Sequence, residues 1–138
     1  MSGVQAFDVE TKRPFEMVDV TPLLRRYLAG NGCRDGLLLA YVPHTTAAVT
    51  INENADPDVT SDIQEFLRRL VPACDWFRHG EGNSHAHILS SLVGASETLM
   101  VANGELLLGT WQGVYFCEFD GPRRRRLLLK FLAAPPTK

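Results

Sequence analysis

Several features that commonly declare a function are missing from this sequence, and each absence closes a class of explanation. The three cysteines, Cys33, Cys74 and Cys117, are odd in number and widely spaced. They form no Cys-x-x-Cys pair, so neither a zinc ribbon nor a disulfide framework is indicated. Reduced, partly buried thiols are the expectation, and Cys74, close in sequence to His79, is the only catalytic candidate among them. No apolar run approaches the ~20 residues needed to span a bilayer. The first eight residues have neither a basic start nor a long apolar stretch. A signal peptide is therefore not expected, and the cytoplasm is the expected location. An excess of positive charge is also missing, with 14 Lys and Arg against 16 Asp and Glu and a net charge of −2. Nucleic acid is not expected as the main partner, because bulk phosphate binding calls for surplus cations. The glycine spacings match no dinucleotide fingerprint and no phosphate-binding loop.

What remains is an ordinary globular chain of 138 residues, 45% hydrophobic and 22% charged. That length suits one domain, here 1–138, able to bury a sizeable core. No repeat or linker is visible, and only residues 133–138 read as a loose tail. Strands are expected over 4–9 and 14–18. Thr21 and Pro22 read as N-cap and first helical residue, with Gly30 and Gly32 closing that helix. The continuous apolar run 37–42 reads as a strand buried on both faces, and 47–52 as a strand with one polar face. Asp56-Pro57 repeats the cap-then-proline signal. Val59, Ile63, Phe66, Leu67 and Leu70 then form one stripe of a second helix, ended by Pro72. Ser84 reads as the cap of a third, closed by Gly94. Asn103-Gly104 marks a hairpin between 98–102 and 105–108. Strands over 114–119 and 125–132 flank Asp120-Gly121-Pro122. These elements predict an α+β fold: a mixed, mostly antiparallel β-sheet sandwich of about seven or eight strands with two or three helices.

Polar residues point to chemistry in two places. All four histidines lie in two short segments, His44 between strands and His79, His85 and His87 in a loop and helix start. Neutral imidazole binds divalent metals, and three protein ligands plus water make a catalytic zinc site. On a helix begun near Ser84, His85 and His87 lie roughly 200° apart, so one of them must be a bystander. The unpaired N–H groups of that helix N-terminus, at Asn83 and Ser84, would attract an anion and disfavour imidazolium. For one isolated histidine, a capping or backbone-satisfying role would be the better reading; the clustering favours function.

Asp56 is explained as a helix cap. Glu53 has no such duty and could orient a metal-bound histidine or act as a base. Glu118, in the middle of an apolar strand, lies either on a wet face or as a partnered buried carboxylate. Arg123–Arg126 alternate faces if extended, so Arg123 and Arg125 share one side and Arg124 and Arg126 the other. Solvated edge residues are the default for such a run, and phosphate clamping follows. Trp111, in a loop between two glycines, reads as core or interface.

Three stretches carry a resemblance. They are Ser96 to Val114 with its Gly109-Thr110-Trp111-Gln112 element, His44-Thr45-Thr46-Ala47 with Asn52-Glu53-Asn54 and Asp56-Pro57, and His79-Gly80-Glu81-Gly82-Asn83 with Ala86-His87. The ending Glu118, Asp120-Gly121-Pro122-Arg123 fits as well. Together they resemble the YjbQ family over nearly the whole chain. The resemblance implies an α+β sandwich assembled as a homotrimer, with a polar cleft near subunit boundaries. It also implies secondary thiamine-phosphate synthase activity, which joins an aminopyrimidine diphosphate to a thiazole phosphate and releases pyrophosphate. The family pattern is matched by His44, His79 and His87, while His85 falls at a variable position.

The expected site therefore has His44, Glu53 and Glu118 as catalytic groups and His44, His79 and His87 as ligands of a divalent metal. Asn83, Ser84, Arg123 and Arg125 would hold the phosphate of a small phosphorylated substrate. Three histidines suit zinc or another transition metal, whereas a diphosphate substrate suits magnesium on oxygen ligands. That mismatch also opens metal-assisted hydrolysis or lyase chemistry on another phosphorylated or heterocyclic substrate. A non-catalytic metal- or ligand-binding module is the alternative of a different class. RNA binding through the arginine run is a third, and it lacks an interleaved aromatic platform.

Overall fold

The computed structural model describes residues 3–136. Its elements run β1 (Val4–Glu10), β2 (Glu16–Asp19), α1 (Thr21–Gly30), β3 (Gly36–Tyr41), β4 (Ala47–Glu53), α2 (Pro57–Leu70) and α3 (Ser84–Val93). They continue with β5 (Ser96–Ala102), β6 (Glu105–Leu106), β7 (Gln112–Glu118) and β8 (Arg124–Ala133). One sheet has the order β1-β8-β3-β5-β6 and the other β2-β7-β4. Every described ladder is antiparallel, as an α+β sandwich requires. The core lies between the sheets. Leu38, Ala40, Leu99, Leu127 and Leu129 meet Val49, Val114 and Phe116, and Leu24 and Leu28 of α1 close one end. No helix among the described residues is long and apolar enough to cross a membrane.

Local chemistry explains most boundaries. Asp56 caps α2 by accepting the Asp58 N–H at 2.9 Å, with Pro57 in the first turn. Asn103 and Gly104 take φ of +53° and +79°, the left-handed pair that a two-residue hairpin needs. Two helix starts are displaced by one residue from the sequence reading. Val20 is the N-cap of α1 and carries no capping side chain. Asp19 serves instead, accepting the Thr21 N–H at 2.9 Å, which frees the Thr21 hydroxyl to accept from Val114 N–H at 2.8 Å. Asn83, not Ser84, is the N-cap of α3.

Two other expectations, for the β3 run and for the tail, are corrected. The β3 run is not buried on both faces: Leu38 and Ala40 are buried, while Leu37, Leu39 and Tyr41 alternate outward and are about 40% exposed. Helix α2 forms as expected, but none of its residues is fully buried, and Phe66 and Leu70 are exposed. The tail begins later than residue 133. Ala133 pairs with Gly36, and the Ala134 N–H donates to the Asp35 carbonyl at 2.8 Å. Residues 137 and 138, part of that expected tail, lie outside the described residues.

The connection from β7 to β8 is not a hairpin, because the two strands belong to different sheets. Asp120-Gly121-Pro122 carries the chain across, with a cis Gly121–Pro122 bond. On either side of the crossing stand Glu118, fully buried, and Arg125, 4% exposed. Arg125 Nε donates to both Glu118 oxygens at 3.0 and 2.9 Å, and its Nη2 donates to Oε2. The Thr11 hydroxyl donates to Glu118 at 2.8 Å, and the Thr46 hydroxyl accepts from Arg125 Nη2 at 2.8 Å. Removing one member leaves an uncompensated buried charge. Glu118→Ala is expected to lower unfolding free energy by about 3–5 kcal/mol, read from chemical denaturation of the two proteins. A loss under about 1 kcal/mol would mean that the pair does not hold the sheets together.

Candidate functional site

A cleft of about 680 Å³ opens at the end of the sandwich where β3 leaves the large sheet and β4 enters the small one. Four pieces of chain build it. Residues 41–46 bring His44 and Thr46, the loop after α2 brings His79 and Glu81, the start of α3 brings Asn83 and His87, and the β8 end brings Arg123 and Arg125. Thr46 is fixed from both sides, by Arg125 at its hydroxyl and by the Phe119 N–H donating to its carbonyl at 3.2 Å. Helix α3 is tied to β4 by the Ser90 hydroxyl, which donates to the Ala47 carbonyl at 2.7 Å.

Six of the expected site residues meet here: His44, His79, His87, Asn83, Arg123 and Arg125. The rings of His79 and His87 are 5.3 Å apart and nearly perpendicular. That is the spacing of an edge-to-face ring contact, and it is also close to the roughly 5 Å between two imidazoles on one tetrahedral ion at ordinary zinc–nitrogen lengths. His44 enters differently. Its Nε2 accepts the Arg126 backbone N–H at 2.9 Å, which leaves Nδ1 to face other partners. Among the described residues, no three His, Cys, Asp or Glu side chains converge as a metal-binding group. The three histidines expected as ligands of one metal are thus not gathered into such a group among the described residues.

Burial, with Arg125 close by, holds the His44 imidazole below its ordinary value of 6.5. The Arg126 N–H at Nε2 assigns it the neutral tautomer that keeps its proton on Nδ1. His44 is thus an uncharged donor in the cleft.

The arginines bring a fixed charge. Arg123 Nε donates to the Asp120 carbonyl at 2.7 Å and its Nη2 to the Asp120 carboxylate at 2.8 Å. Arg125 spends Nε and Nη2 on Glu118 and Thr46. In both, Nη1 is the guanidinium nitrogen left without a hydrogen bond among the described residues. As the alternating pattern requires, Arg124 turns away and lies 3.1 Å from Asp8. Asn83 donates from Nδ2 to the same Asp120 carboxylate at 2.8 Å, while its Oδ1 is buried without a partner among the described residues.

Three expected residues lie elsewhere. Glu53 ends β4 opposite Gln112, while Ala47 at the cleft end of that strand faces Glu118. Six strand steps put the two ends roughly 20 Å apart, too far for Glu53 to serve as base or orienter in this cleft. Glu118 is the partnered buried carboxylate, not a catalytic group open to substrate, because Arg125 and Thr11 occupy its oxygens. Ser84 occupies the first helical position and does not line the cleft. Sequence reasoning missed Asp120, which brackets Arg123 and Asn83. It was read as a turn residue, and its spacing of three from an arginine was the available signal. Glu81, between two glycines of the histidine loop, was likewise missed as a lining residue. Cys74 does not line the cleft, and burial pushes the Cys117 thiol up to about 12. Trp111 is not core, being 62% exposed.

The low His44 value has a stability consequence. The unfolded chain binds the proton more readily, so its contribution is present above about 6.5 and is lost as the pH falls toward the depressed folded value. Denaturation midpoints measured from neutral to mildly acidic pH should fall in wild type and fall less steeply in His44→Gln. Parallel slopes would show that the imidazole is not held neutral.

The family model described as UPF0047 protein YjbQ-like matches residues 5–134. UPF0047 protein MJ1081 of Methanocaldococcus jannaschii is 51% identical over 126 residues, which cover 91% of each chain. UPF0047 protein YugU of Bacillus subtilis is 48% identical, over 94% of this chain and 98% of its own. Among solved structures, an uncharacterized YjbQ/UPF0047 family protein of Clostridium acetobutylicum superposes with a TM-score of 0.90 at 46% identity, covering 93% of this chain and 99% of that one. Hypothetical protein APE1520 of Aeropyrum pernix gives 0.89 at 41% identity, over 95% and 98%. The sandwich, the histidine loop and the Gly-Thr-Trp-Gln element thus sit in a chain that belongs to the YjbQ-like UPF0047 family.

Proposed function

We propose that the cleft binds the phosphate or diphosphate of a small substrate and that the protein is a cytoplasmic enzyme acting on that molecule. The observation that carries this reading is the meeting of two pre-positioned guanidiniums, Arg123 and Arg125, with His44, His79 and His87 in one cleft. Each guanidinium is locked by an acid behind it and keeps Nη1 for an anion. Such a donor pair stabilises charge that develops on a departing phosphate without having to reorganise.

The reaction that best suits this arrangement is of the thiamine-phosphate synthase type. In an aminopyrimidine diphosphate the bond between the pyrimidine-bearing carbon and the diphosphate oxygen breaks, pyrophosphate leaves with the electron pair, and the nitrogen of a thiazole phosphate forms the new carbon–nitrogen bond. In this scheme Arg123 and Arg125 hold the leaving pyrophosphate, and neutral His44 donates from Nδ1 to one of its oxygens. His79 and His87 are free for proton transfer or for a divalent metal, which would supply further charge neutralisation. Their imidazoles suit zinc, nickel or iron better than magnesium, which prefers oxygen. The two-histidine spacing favours a second reading, metal-assisted hydrolysis or elimination on another phosphorylated substrate.

The working form is proposed to be a homotrimer. The outer face of the large sheet exposes Leu37, Leu39 and Tyr41 of β3 beside Met100 and Leu132. Leu37 lies directly opposite both Met100 and Leu132 in the ladders, so these residues form one apolar face. Such a patch on a small chain is a natural subunit contact.

The test is pyrophosphate release from an aminopyrimidine diphosphate and a thiazole phosphate, run with wild type and His44→Ala. Elemental analysis of dialysed wild type and His87→Ala accompanies it. Turnover that falls at least about 100-fold in His44→Ala is expected, as loss of a general acid–base group gives. Turnover independent of His44 would overturn the assignment. No turnover, with stoichiometric metal lost in His87→Ala, would move the reaction to the metal-assisted reading.

A further inference from the structure

One charged group in the cleft lining has no part in anion binding. Glu81 is the only carboxylate among the described lining residues, and its side chain is exposed, with no hydrogen bond or ion pair to any described residue. The other two acids at this end, Glu118 and Asp120, stand behind the arginines and are spent on them. Glu81 is held in place by its backbone. It sits in the turn that the Gly82 N–H closes on the His79 carbonyl at 3.2 Å, and Gly82 leaves that turn at φ +74°, in the left-handed region that favours glycine. Lining residues flank the turn on both sides, His79 before it and Asn83 after it, and Asn83 is tied to Asp120 at 2.8 Å.

A cleft for phosphate alone gains nothing from a free carboxylate, because like charges oppose one another. Two guanidiniums and one unspent acid suit an occupant that is anionic at one end and a hydrogen-bond donor at the other. Tyr41, Val42 and Pro43 give the same cleft an apolar side, against which a flat ring can lie. An amino group on such a ring donates to a carboxylate without the heavy desolvation cost of an ammonium ion. We infer that Glu81 is a specificity-determining residue of the cleft, its carboxylate accepting from the amino group of a heteroaromatic ring whose phosphate end is held by Arg123 and Arg125. The inference rests on the phosphate-binding reading of the cleft and adds to it the group that reads the other end of the substrate.

The test is calorimetric titration of wild type and Glu81→Ala with three probes. They are pyrophosphate, an aminopyrimidine diphosphate, and the same diphosphate with a methyl group in place of the amino group. Wild type should bind the amino compound at least about fivefold more tightly than its methyl counterpart, as a hydrogen bond to a charged group gives. Glu81→Ala should lose that preference, while pyrophosphate binds the variant no more weakly than wild type because a like charge has gone. Equal affinity of wild type for the two pyrimidines, or a preference kept in Glu81→Ala, would overturn the inference while leaving the phosphate-binding reading intact. Weaker pyrophosphate binding in the variant would overturn it too, since Glu81 would then be shaping the arginine end. Failure of wild type to bind pyrophosphate would remove the phosphate-binding reading and this inference with it. The comparison of the two pyrimidines in wild type holds whatever the stability of the variant.

Discussion

The buried ion pair between Glu118 and Arg125 is the constraint on which the remaining structure depends. Glu118 ends a strand of the small sheet and Arg125 begins a strand of the large one, so one interaction spans the sandwich. Taking two charges out of water costs several kcal/mol per ion, and the attraction offsets this only where the remaining hydrogen-bonding groups are also satisfied. Here they are. Thr11 from the end of β1 completes Glu118, and Thr46 from the start of β4 completes Arg125. The ends of β1 and β4, distant in sequence, thus become neighbours of the β7–β8 crossing at one end of the molecule.

That end is where the cleft forms. Because Thr46 is held by Arg125, the preceding His44 is brought beside β8, where the Arg126 N–H takes its Nε2. Asp120, at the crossing between sheets, repeats the device on a smaller scale by gripping Arg123 and Asn83 together. Asn83 in turn begins the helix that carries His87. The two guanidiniums of the cleft are therefore positioned by acids placed behind them, and His44 by a backbone N–H. A site made this way presents donors in fixed geometry, which suits charge stabilisation better than loose surface cations would.

Much of this was legible in the chain itself. Asp56-Pro57 and Asn103-Gly104 announce a helix start and a hairpin because their backbone chemistry is local, needing no partner from elsewhere. The histidine spacing separates His87 from His85 for the same reason, since helical geometry alone sets them on opposite sides. Strand alternation likewise predicts that Arg123 and Arg125 share a face. What could not be read depends on how the strands are distributed between the two sheets. The role of Glu118 was undecided between wet face and buried pair because its partner lies across a sheet crossing. Glu53 looked near His44 in sequence, yet an extended strand carries it roughly 20 Å away. The apolar run of β3 overstates burial because composition alone does not say that only one of its faces packs on the core.

The central claim is that the paired guanidiniums and histidines form one anion-binding cleft. Calorimetric titration of pyrophosphate into wild type and Arg123→Gln tests it most directly, because Arg123 is half exposed and can be changed without emptying the core. The account predicts one saturable site per chain in wild type, weakened at least about tenfold in the variant, as loss of a charge-assisted contact gives. Absence of saturable binding, or equal affinity in the two proteins, would contradict it.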